Sequence, residues 1–90
     1  MISNQSKSRQ SKNPVAMRCV TRIVAYHDLP DKEQIEVMLF GRPAFYYAPS
    51  SEQVLIDRLR QAYIDRSEIQ VEWNPDTLQI LHAGAAPLGT

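Results

Sequence analysis

Apolar and polar residues alternate in short runs along most of the chain, interrupted by one stretch of helical period. Over residues 33–41, Ile35, Val37 and Leu39 share one parity, and Gln34, Glu36, Met38 and Phe40 the other. That two-residue period predicts a strand with one covered face. Residues 68–73 alternate as cleanly, with Ile69, Val71 and Trp73 inward and Glu68, Gln70 and Glu72 outward. Residues 17–27 also read as a strand, favoured by β-branched Val20, Thr21 and Val24. Here both parities carry apolar residues: Met17, Cys19, Ile23 and Ala25 on one, Val20, Val24 and Tyr26 on the other. A long strand that bends partway and serves two sheets accounts for this. Residues 44–48 predict a short aromatic strand, with Phe45 and Tyr47 on one face and Tyr46 on the other. Residues 77–83 predict a closing strand with Leu78, Ile80 and His82 on one parity and Leu81 on the other.

The helical stretch covers residues 49–66. Leu55, Ile56, Leu59, Ala62 and Tyr63 fall within an arc of about 120° on a helical wheel. Asp57, Arg58, Arg60, Gln61 and Asp65 occupy the other side. Ser50 is the expected N-cap, with Gln53 as its capping-box partner. Leu55, Leu59 and Tyr63 are expected to be buried, and Arg58 and Asp65 to lie in solvent. Polar loops with proline or glycine separate the elements: residues 27–32, residues 41–43 and the turn Asn74, Pro75, Asp76.

The resulting order is β-β-β-α-β-β, so the fold class is mostly β with one helix, an α+β chain. This order resembles the OB-fold, a five-stranded Greek-key barrel with its helix between the third and fourth strands. The resemblance spans residues 17–83 and is one of topology, with the bent first strand as its second support. It implies a small OB-like barrel with the helix plugging one end. The alternative is an open antiparallel sheet with the helix packed on one face.

Composition places boundaries on this unit. Residues 1–16 are mostly Ser, Asn, Gln, Lys and Arg and are expected to be a disordered basic arm. A single globular domain is expected over residues 17–84 and a flexible tail over 85–90. The formal net charge of zero hides an asymmetry, because residues 1–18 hold four of the ten Lys and Arg residues and none of the ten Asp and Glu. The body is therefore acidic, which opposes general electrostatic binding of nucleic acid. Cys19 is the sole cysteine, so an intramolecular disulfide is impossible and a cysteine-rich zinc site is not expected. No apolar run approaches the ~18 residues of a membrane span, and a cytoplasmic, bacterial setting is the expectation.

No catalytic signature stands in the chain, and its three glycines leave little for a phosphate-cradling loop. Cys19 with His27 or His82 reads as a core thiol and two structural or surface histidines. His27, Asp28, Asp31 and Glu33 match no metal-binding loop and read as turn chemistry. The chain is thus expected not to be an enzyme and to hold no metal or cofactor. The expected site is a binding surface made of Arg18, Arg22 and Tyr26 from the first strand, Arg42, and the run Phe45, Tyr46, Tyr47. Tyr and Arg are enriched at the energetic centres of protein interfaces. The function expected is a small noncatalytic β-barrel interaction module, with a protein partner or a second copy bound. The alternative is a single-stranded nucleic-acid binder that stacks bases on the aromatic rings.

Overall fold

A computed structural model describes residues 15–87. The arm expected over residues 1–16 lies outside the described residues up to residue 14, and the tail over 85–90 lies outside them from residue 88. The described chain runs β1 (Met17–Thr21), β2 (Ile23–Leu29), a 3-10 turn (Pro30–Lys32), β3 (Gln34–Leu39), β4 (Phe45–Pro49), α1 (Gln53–Asp65), β5 (Ile69–Trp73) and β6 (Ile80–Ala85). The strands form two antiparallel three-stranded sheets, β1–β5–β6 and β2–β3–β4.

The bend expected in the first strand falls at Arg22, where the chain leaves one sheet and enters the other. The corner is tied to the end of β3: the Phe40 N–H donates to the Arg22 carbonyl at 2.9 Å, and the Thr21 hydroxyl to the Phe40 carbonyl at 3.3 Å. Just beyond it the register slips, Ile23 pairing Leu39 but Ala25 pairing Met38. That bulge inverts the parity, so Tyr26 turns inward where Ala25 turns outward. The bend and the bulge together explain why both parities of residues 17–27 carry apolar residues.

Among the described residues the closed five-stranded barrel is not formed: six strands make two sheets, as the open-sheet alternative has it. Among the described residues, β4 and the β6 side of the other sheet meet at a single parallel bridge between Tyr47 and Gln79. At that bridge the Tyr47 N–H donates to the Leu78 carbonyl at 3.1 Å, and a turn precedes β6. Asn74 donates its N–H to the Gln79 carbonyl and accepts that of Leu78 at its own carbonyl, while its side-chain oxygen takes the N–H groups of Asp76 and Thr77.

The helix starts later than the capping pattern of Ser50 and Gln53 predicts. Ser50 gives its N–H to the Glu33 carbonyl, and Glu52 takes the N-cap position without a side-chain bond. Gln53 instead donates its side-chain amide to the Ser50 carbonyl at 2.7 Å. The helix ends at Arg66, left-handed at φ 55°, where the Ser67 N–H reaches back to the Ala62 carbonyl. Leu55, Ile56, Leu59 and Ala62 are buried as the apolar stripe requires. Tyr63 is not: it is 39% exposed, because it lies at the rim, where its ring stacks on Tyr26. Arg58 and Asp65 are exposed, and Arg58 donates to the Ala83 carbonyl.

The core lies between the sheets and the helix, with Val37, Leu39, Leu59, Val71 and Ile80 fully buried. The closing strand departs from simple alternation. Trp73 pairs Ile80 but Glu72 pairs His82, so Leu81 is bulged. His82, expected to share a face with Ile80, therefore points outward and Ala83 inward.

Candidate functional site

Alternation in β3 buries Ile35, Val37 and Leu39 and turns Gln34, Glu36 and Met38 to the other face. Antiparallel pairing places partners on that same outer face, which builds three rows across three strands. Ala25, Met38 and Phe45 form the first row, His27, Glu36 and Tyr47 the second, and Leu29, Gln34 and Pro49 the third. Phe45 is 45% exposed, with the His27 ring 5.7 Å away and tilted by 42°. Tyr47 is half-buried and donates its hydroxyl to the Gln79 side chain at 3.4 Å. Glu36 stands in the middle, receiving the Gln34 amide at 3.3 Å and paired with no cation among the described residues. The face is thus an aromatic and aliphatic surface around one carboxylate.

The residues expected to share one site are distributed over several surfaces. Phe45 and Tyr47 lie on this outer face. Tyr46 is 3% exposed and belongs to the core, because the strand turns it inward against Trp73. Tyr26 is inward as well, turned by the bulge onto Tyr63, the two rings 6.0 Å apart. Arg18 lies on the outer face of the other sheet and pairs with Glu72 at 3.3 Å, a cross-strand partner. Arg22 stands at the corner between the sheets. Arg42 lies beyond Gly41, whose φ of 81° suits the tight turn after β3, and its guanidinium stacks 4.9 Å over Trp73.

His27, Glu36, Met38 and Leu29 join the face without having been expected there. Glu36 and Met38 were legible as the outward parity of residues 33–41. His27 and Leu29 were hidden because β2 runs to Leu29, three residues into the loop expected over residues 27–32. Cys19 and His82 sit on opposite faces of their sheet, since Cys19 pairs with inward Val71 and His82 with outward Glu72. Among the described residues, no three His, Cys, Asp or Glu side chains gather as a metal site would require. No helix among them is long and apolar enough to cross a membrane.

No family model matches the chain, and no curated protein matches it. Part of a solved crystal structure, that of pro-protein-glutaminase, has the same fold. It superposes with a TM-score of 0.70 at 20% identity, over 80% of this chain and 26% of that one. The chain thus spans about a quarter of that enzyme precursor's length. This finding corrects the expectation that the chain is not an enzyme, because the structure matched in part is an enzyme's pro-form. At this identity the likeness is one of fold.

Proposed function

We propose that this domain is a protein-interaction module that works beside or within an enzyme and docks through the outer face of the β2–β3–β4 sheet. The observation that carries the reading is the composition of that face. Phe45, Tyr47, Met38 and Leu29 offer apolar area around Glu36, and no Arg or Lys occupies any of its nine positions. A single-stranded nucleic acid needs cations beside its stacking rings, and Arg18, Arg22 and Arg42 lie on other surfaces. A polypeptide surface needs apolar anchors with a polar rim, which this face supplies. The likeness to a pro-enzyme supports an enzyme as the neighbour.

The same reading favours an OB-like barrel left open along one seam. With β1 and β2 counted as one bent strand, the parallel bridge of Tyr47 and Gln79 supports the strand order of that fold. Strands two and three of an OB-fold carry its usual ligand face, and β3 and β4 stand in those places.

The test is a photo-crosslinking amino acid at position 45, introduced into the full chain in its own cells, with sedimentation of the purified protein alongside. The expected result is a crosslink to one defined protein, an enzyme, abolished by Tyr47→Asp. A crosslink to a second copy with a dimer in sedimentation would assign the face to self-association. Crosslinks to nucleic acid would refute the reading.

A further inference from the structure

A second surface, which shares none of the nine residues of the β2–β3–β4 face, lies between the β1–β2 corner and the C-terminal end of α1. Arg22, Ile23, Val24, Phe40, Tyr63 and Arg66 line a cleft there of about 310 Å³. Its walls are apolar side chains left in the open: Phe40 is 67% exposed and Val24 48%. Each wall is anchored by backbone. Phe40 is bonded to the Arg22 carbonyl, and the Arg66 N–H to the Tyr63 carbonyl. Tyr63 is further held by its near-parallel stack on Tyr26, 22° between planes. The backbone under the cleft is therefore held in place, which lowers the ordering cost of a ligand entering it.

Its charge runs against that of the body. The described chain holds all ten carboxylate side chains of the protein, yet none lines this cleft. Neither Arg22 nor Arg66 forms an ion pair with any described residue. Arg18 and Arg60, by contrast, are paired with Glu72 and Asp57. Two guanidinium groups with no ion-pair partner among the described residues, beside exposed aromatic and aliphatic side chains, complement a carboxylate next to a bulky apolar group. A polyanion fits less well, because its further phosphates would run out over the acidic body. A short peptide carries its negative charge locally.

We infer that this cleft is a docking site for a short acidic peptide segment of a protein partner, with Arg22 and Arg66 taking carboxylates and Phe40 and Tyr63 taking the adjacent apolar side chain. The site is separate from the β2–β3–β4 face and stands or falls without it.

The probe is a capped hexapeptide alternating Glu with Phe and Leu, titrated into the full-length protein and followed by amide chemical shifts and fluorescence anisotropy. Its control is the same peptide with Gln in place of Glu. Saturable binding is expected, with shifts confined to the residues of the cleft, and the Gln peptide and Arg22→Gln each weaken it roughly tenfold. Arg66→Gly guards against a folding artefact: the left-handed backbone suits glycine, so this variant keeps its fold while losing affinity. Absence of saturable binding, shifts that map elsewhere, or tighter binding of a short oligothymidylate than of the peptide would each overturn the inference.

Discussion

The Tyr46 ring meets the Trp73 indole edge-on, 5.3 Å between centroids and 73° between planes. Tyr46 comes from β4 and Trp73 from β5, so this one aromatic pair joins the two sheets across the core. Edge-to-face pairs contribute about 0.5–1.5 kcal/mol beyond the area they bury. Tyr46→Ala would lose both that and its burial, a cost of about 3–5 kcal/mol. Phe45→Ala and Tyr47→Ala, on the outer face, should cost about 1 kcal/mol or less. Urea unfolding of the three variants checks the order; equal losses would mean the outer face is part of the core.

Arg42 covers the other exposure of the same indole, 4.9 Å from guanidinium carbon to ring centroid. A cation over an aromatic face at a surface site is worth about 0.5–1 kcal/mol. Arg42→Ala should cost that much and let water reach a ring that is 3% exposed. Trp73 is the sole tryptophan, so its fluorescence reads the site directly. A red shift in the native emission is expected, and an unchanged maximum would show that the guanidinium does not shield the ring.

Arg66 closes the helix at φ 55° and ψ 38°, a conformation that costs an L-residue about 1 kcal/mol relative to glycine. Arg66→Gly should therefore raise stability by up to that amount, against the usual direction of a truncation. Its side chain forms no ion pair with any described residue. Thermal melts should show an increase of about 4–8 °C for a full 1 kcal/mol in a domain of this size. A lower melting temperature would mean the arginine side chain packs where the backbone alone was credited.

The strands with strict alternation, Ile35 to Leu39 and Ile69 to Trp73, took up the facing that their parity predicts. The bend near Arg22 was legible because a strand that passes from one sheet to another can bury residues of both parities. The bulges at Val24 and Leu81 were not, since a one-residue slip leaves no mark in composition, and they are what moved Tyr26 inward and His82 outward. For the site, Phe45 and Tyr47 were placed correctly on one face. The arginines were not, because grouping them with the aromatics assumed that β1 and β2 present one surface, while the corner at Arg22 gives them two.

Helix α1 supplies a comparison in which one substitution has two outcomes. Leu59 is wholly inaccessible, and Val54, five residues earlier, is 65% exposed. Leu59→Asp would place a carboxylate among apolar side chains with no cation to pair it, a penalty on the order of the whole stability of a domain this small. It should leave the chain unfolded, with collapsed amide dispersion and no cooperative melt. Val54→Asp introduces the same charge in the first helical turn, which has no acidic residue. There the helix dipole favours an anion by about 0.3–1 kcal/mol, offsetting the lower helix propensity of aspartate. That variant should fold and melt within a few degrees of the parent. Circular dichroism and amide spectra of the pair decide the matter: a folded Leu59→Asp protein would show that the helix does not seal the core, and an unfolded Val54→Asp protein would show that its outer side is not free.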